Sequence, residues 1–197
     1  MRKKFIGLFS ILVISILFSS TALAVNVIGD LSYWYSDSNR IAKWESTPSF
    51  SITGTSSTPY MFNTYVKDGF SKWNSAGVPN TYNTSSGKIP VYGGTYTEIK
   101  AMYPSFPTTA TAVTSYTIIS LNGVYRTPSG NKDGYKMSSA KIYFATDRAN
   151  TKTYAHEAGH SLGWLGHSSN SSDIMYGTQT TKTSLTTRDK KHLNQIY

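Results

Sequence analysis

Three of the four histidines in this chain, His156, His160 and His167, fall within twelve residues, and that cluster constrains the local fold more than any other feature. In His156-Glu157-Ala158-Gly159-His160 the two imidazoles are four residues apart, on one helix face and about 6 Å apart along the axis. Two neutral ring nitrogens so spaced can share one zinc ion. Glu157, one step round the helix, can reach a water on that metal without becoming a ligand. If the helix continued, His167 would lie about 10 Å beyond His160 and out of reach. Gly163 permits a left-handed residue that ends the helix and turns the chain back, and Gly166 adds freedom directly before His167. Helix, sharp turn and returning His167 make a three-histidine site whose fourth position is left for water.

The N-terminus carries a different signal. Arg2, Lys3 and Lys4, an apolar run from Phe5 to Phe18 and then Ala22-Leu23-Ala24 predict a secretory signal peptide over residues 1–24. The run is shorter than the roughly 18 to 20 residues that span a bilayer, so no stable membrane insertion is expected. The formal charge of +9 falls to +6 once those three cations are removed. The remaining cations are spread singly, which suits solubility or adhesion to an anionic cell wall and argues against a nucleic-acid groove. With no cysteine, a thiol nucleophile and a thiolate metal site are both excluded, and the fold must rest on apolar burial, hydrogen bonds and metal.

Along the chain, residues 25–40 show no clear period and read as a lead-in or short pro-segment, followed by one domain over 41–197. Phe50 and Ile52 predict a strand. Met61, Phe62, Tyr65, Val66, Gly69, Phe70 and Trp73 predict an amphipathic helix of about four turns that closes near Gly77-Val78-Pro79. Residues 88–102 and 112–121 read as strands joined by loops, and Pro128 to Gly134 as a turn before an alternating strand at Ala140–Phe144. Asp133 is a single carboxylate in that turn, too few oxygens for calcium. The expected architecture is α+β.

Beyond the five-residue core, the histidine segment resembles the helix motif H-E-x-x-H-x-x-G-x-x-H of the metzincin zinc endopeptidases, and of their matrixin-like branch in particular. Here Gly163-Trp164-Leu165-Gly166-His167 places the third histidine one residue later than that motif does. Ser172-Asp173-Ile174-Met175-Tyr176 is similar to the matrixin Met-turn, which implies that Met175 supports the zinc site from below; Gly177 stands where the family has proline. Leu185 to Tyr197 resembles the terminal matrixin helix, capped at Thr186 or Thr187. The implied fold is a metzincin-like catalytic domain: a twisted mixed sheet with an upstream helix, an active-site helix and a C-terminal helix.

The resemblance implies a secreted zinc metalloendopeptidase acting on protein or peptide substrates, with His156, His160 and His167 as ligands of one zinc and Glu157 as general base. Structural calcium is not predicted, and a monomer is the default. Asp173 is an alternative third ligand, and His192 is expected to be a solvated side chain. Tyr176 either packs or assists the oxyanion. The cysteine that covers zinc in matrixin pro-segments has no counterpart, while Val27-Ile28-Gly29-Asp30 is similar to an aspartate switch, its alternative being an unstructured lead-in. From another class, a non-catalytic exported zinc-containing module that binds cell-wall glycan or protein would use the same histidines, and would have no need of Glu157.

Overall fold

The computed structural model describes residues 25–178 and 182–197; the predicted signal segment at 1–24 lies outside them. In chain order the elements are β1 (Val27–Asp30), β2 (Arg40–Lys43), β3 (Ser49–Gly54), α1 (Phe62–Ser75), β4 (Thr81–Tyr82), β5 (Ile89–Gly94), α2 (Tyr96–Met102), β6 (Ala112–Arg126), β7 (Lys132–Ala145), α3 (Thr151–Ser161) and α4 (Thr187–Asn194). The strands form one seven-stranded mixed sheet in the order β1-β6-β7-β5-β3-β4. The long β6–β7 hairpin is antiparallel and every other pair is parallel. The edge of β7 opposite β6 is shared, β2 taking Asp133–Lys136 and β5 taking Ile142–Ala145.

Successive residues of a strand point to opposite faces, and β7 shows both faces in use. Ile142 and Phe144 join the main core with α1, α3 and α4, whereas Tyr143 and Ala145 meet Ile99 of α2 and Phe106 on the other side. α1 buries Phe62, Val66, Gly69, Phe70 and Trp73, a three- and four-residue spacing that forms one helical face. Met61 and Tyr65, which share the sequence period, remain exposed at its margin. α1 packs closely along α3: a Cβ at Gly69 would stand 2.8 Å from the Tyr154 carbonyl, and Trp73 Nε1 donates to the Ala155 carbonyl at 2.7 Å. This contact holds α3 against the core and aims its opposite face at the sheet.

Four expectations change. Residues 96–102 are helical because Thr95 and Glu98 form a reciprocal capping box, a local signal outweighed in the reading by the neighbouring aromatic and β-branched residues. The strand after the turn starts at Lys132, since pairing with β2 and β6 extends it beyond the alternating apolar run and takes in Asp133. The lead-in is structured: β1 extends the sheet beside β6, placing Asp30 opposite Arg126. Finally, His192 is 1% exposed, its ring tilted against Trp164 at 3.8 Å and Trp34 at 4.4 Å between centroids, and its Nδ1 accepts the Tyr35 N–H at 3.0 Å. Apolar rings from the N-terminal segment and the loop after α3 exclude water from it.

Burial drives the His192 pKa from the usual 6.5 down to about 3. Between those values the unfolded chain binds a proton that the folded protein refuses, so stability falls as pH drops below about 6.5, by on the order of 1 kcal/mol per pH unit from this group. Urea unfolding between pH 7 and 5 measures the slope. His192→Asn is expected to make it shallower, and an unchanged slope would mean that the ring is solvated.

Candidate functional site

Helix α3 begins at a capping box in which Asn150 accepts the Thr153 N–H and the Thr153 side chain answers the Asn150 N–H. From there one face carries His156 and His160. His156 Nδ1 lies 2.8 Å from the Ile174 carbonyl and His160 Nδ1 2.7 Å from the Trp164 carbonyl. A carbonyl only accepts, so both Nδ1 atoms carry the proton and both Nε2 atoms present lone pairs. Those two Nε2 atoms stand 3.0 Å apart with no proton between them. Two lone pairs so close repel unless a cation lies at their convergence, which is the condition a metal fulfils.

The turn after α3 brings in the third ring. Gly163 has φ +113° and Gly166 φ +73°, the left-handed region that glycine enters freely. At Gly163 a Cβ would also lie 2.1 Å from the Ala42 carbonyl. The intervening Trp164 and Leu165 are buried beneath the helix end. The chain returns so that His167 stands 5.3 and 5.0 Å, ring to ring, from His156 and His160, and one nitrogen from each of the three rings lies within 4.8 Å of the others. Nitrogens around a tetrahedral zinc are about 3.3 Å apart, given Zn–N of about 2.0–2.1 Å, so the donor set fits that ion after a small adjustment. Burial lowers the pKa of all three imidazoles, assisted at His156 and His167 by the neighbouring His160. Neutral rings are the form that binds metal.

Below the rings, the Met-turn segment is fastened by α4. Asp189 accepts the Ile174 N–H at 2.9 Å and the Met175 N–H at 3.3 Å, which positions the Ile174 carbonyl for His156. Met175 is fully buried, and Gly159 is the reason it fits: a Cβ there would meet Met175 Sδ at 2.6 Å. Asp173 points away from the histidines. It is bound by Arg188, Ser168 and Thr186, whose hydrogen bonds outweigh its burial and hold its pKa down, so it is not a substitute for His167.

An open cleft of about 510 Å³ passes over these groups, bordered by the Thr109–Thr114 stretch, α3 and Gly177–Thr178. Glu157 lies in it, 7% exposed, and Thr114 Oγ1 donates to its Oε2 at 2.6 Å. Burial raises the Glu157 pKa to about 7, with the Thr114 bond opposing the shift. Lys152, also 5% exposed, donates from Nζ to the carbonyls of Tyr176 and Thr178 at 2.9 and 2.7 Å and thereby ties the wall after the Met-turn to α3. Tyr176 itself does not line the cleft, nor does Asp30.

The structure thus brings together His156, Glu157, His160 and His167 and leaves Asp173 and His192 outside. The sequence pattern does not single out Thr114, Lys152 or Asp189, which the fold brings to the site or its supports. Lys152 carries one local clue, since a cation in the first turn of a helix opposes the macrodipole and calls for another partner. Asp189 carries another, as the acidic third residue of the box that Thr186 begins. Thr114 has no local signal, because its partner is 43 residues away.

Residues 102–197 match the family model described as Matrixin, peptidase M10, an interval that includes all three histidines, Glu157 and Met175. No curated protein matches the chain.

Replacing Asp189 by alanine leaves the Ile174, Met175 and Thr186 amides without their acceptor. At about 1–3 kcal/mol for each orphaned buried group, Asp189→Ala should lower unfolding stability by about 3 kcal/mol or more. Urea titration of the zinc-free protein measures this; a loss below about 1 kcal/mol would mean that Asp189 does not hold the Met-turn.

Proposed function

The chain carries a matrixin-like metzincin catalytic domain, and on that basis we propose that it is an exported zinc-dependent endopeptidase hydrolysing peptide bonds in protein or peptide substrates. The observation that carries this reading is the pair of deprotonated Nε2 atoms at 3.0 Å, joined by the His167 ring, in the same cleft as a buried carboxylate. His156, His160 and His167 would hold one zinc, and all come from one chain, so a monomer suffices. In this reading the catalytic domain comprises 41–197 together with the segment from Val27, whose β1 pairs with β6 and whose Leu31 lies in the main core. Export is inferred from the basic, apolar and small-residue order of residues 1–24; among the described residues no helix is long and apolar enough to cross a membrane.

The cleft's upper border suggests how a substrate is held. β1 pairs only with Val124–Arg126, so the stretch of β6 from Ala112 onward has β7 on one edge and, among the described residues, no strand on the other. An extended peptide lying along that edge gains main-chain hydrogen bonds regardless of its sequence, and its side chains alternate towards and away from the cleft. Zinc, when bound, supplies Lewis acidity to a water and to the scissile carbonyl. Glu157 takes the proton from the attacking water and passes it to the leaving amine. Burial raises the Glu157 carboxyl in the metal-free cleft, and a carboxylate that can take up and give back a proton serves both halves of that exchange. Thr114 keeps its Oε2 oriented, and Lys152 holds the wall that faces the substrate's side chain beyond the cleaved bond.

Cleavage of an unfolded protein by the zinc-loaded chain tests the proposal, beside a chelator control and Glu157→Gln. The variant should keep its zinc and lose about a hundred- to ten-thousand-fold in turnover, because it removes only the proton acceptor. Chelator-sensitive cleavage by the unsubstituted protein alone supports the peptidase. Bound zinc with no cleavage, and a Glu157→Gln protein that behaves identically, would favour the exported binding module.

A further inference from the structure

Histidines 156 and 160 are held by a helix and by their own Nδ1–H bonds to carbonyls. His167 sits in an irregular loop, one residue longer than the matrixin motif, and what fixes that loop is the N-terminal segment. Asp37 Oδ1 accepts the His167 N–H at 2.7 Å, and the Asp37 N–H donates to the His167 carbonyl at 2.9 Å. The Ser36 hydroxyl donates to the Leu165 carbonyl, and Ser36 also forms an antiparallel bridge to Ser168. On its other side Ser168 bridges Tyr176, and its N–H donates to the Met175 carbonyl at 2.8 Å. The loop is therefore bridged on both sides, by residues 36–37 on one flank and by the Met-turn on the other.

Gly166 shows how tightly the pieces fit. A Cβ there would lie 2.2 Å from Asp37 Oδ1 and 2.8 Å from Ser36 Oγ. The Asp37 carboxylate thus occupies the space that only a glycine leaves, at the residue directly before the third ring. A carboxylate receiving a backbone N–H forms a charge-assisted bond, stronger than one between neutral groups.

We propose that Asp37 is a positioning residue for the third metal ligand: its carboxylate fixes the His167 backbone, so the segment around Ser36–Ser38 is a constituent of the active centre and not a detachable leader. This inference rests on the reading of His167 as a zinc ligand. The groups that surround metal ligands commonly set affinity by about ten- to a hundredfold. The Asp37 carboxylate also acts electrostatically on the His160 and His167 rings, so Asp37→Asn, which keeps the acceptor oxygen and removes the charge, separates the brace from the field.

The test uses the full chain with Asp37→Ala, Asp37→Asn and His167→Ala. Zinc affinity is measured by chelator competition, and the visible spectrum of the cobalt(II) form reports the ligand set. Asp37→Ala should weaken zinc about ten- to a hundredfold and alter the cobalt spectrum. Asp37→Asn, which keeps an acceptor oxygen for the His167 N–H, should recover most of the affinity and the original spectrum. Unchanged affinity in Asp37→Ala, with His167→Ala weakened, overturns the role of Asp37 and leaves the three-histidine site standing. Unchanged affinity in His167→Ala overturns the ligand reading itself and the inference with it. Should Asp37→Ala fail to fold, amide exchange in the unsubstituted zinc-free protein decides: protection of the His167 N–H supports the brace, and exchange at the rate of an unstructured amide overturns it.

Discussion

The bond from His156 Nδ1–H to the Ile174 carbonyl is the link on which the rest of the site depends. It does three things at once. It assigns the proton to Nδ1 and frees Nε2 for a metal; it joins α3 to the segment after the histidine loop; and it hands the orientation of His156 to whatever fixes Ile174. That last group is Asp189 on α4, so a carboxylate on the C-terminal helix determines the direction of a ring on the central one. Imidazole ligands in metal sites are oriented by such partners on the other ring nitrogen, and here the partner is itself oriented.

The site gathers several ionisable groups in poor solvent, and their arrangement keeps the cost low. The three imidazoles stay neutral because burial disfavours their charged forms. Glu157 shifts towards protonation for the same reason, and Lys152, which burial also pushes towards neutrality, has two carbonyls for its Nζ donors. Asp189 is surrounded by N–H donors. A metal ion entering this cleft would meet the Nε2 lone pairs of His156 and His160 already turned towards each other.

Several parts of this arrangement were legible in the residues. The i, i+4 histidines, the left-handed capacity of Gly163 and Gly166, and the apolar period of Phe62 to Trp73 are local patterns whose physical meaning does not depend on distant residues. The capping box that makes residues 96–102 helical was equally local, but strand-favouring neighbours masked it. Burial of His192 was not legible. On its own helix a histidine beside lysines reads as solvated, and only the arrival of Trp34 and Trp164 removes the water. The order in residues 27–30 has the same origin, since a four-residue strand is stable only where β6 offers an edge.

By itself, then, the sequence determined which chemical groups are present and how neighbours in the chain are spaced: a helix that pairs two imidazoles, a turn that can return a third, and a carboxylate between them. Tertiary structure alone decided what those groups can do. It placed Thr114 on Glu157 from 43 residues away and Asp37 on His167 from 130. It also gave Glu157 a buried environment with a pKa near 7. The physical reason is that periodicity and capping are properties of neighbouring residues, whereas desolvation and hydrogen-bond partnership belong to a position in space, which exists only once the sheet and helices have packed.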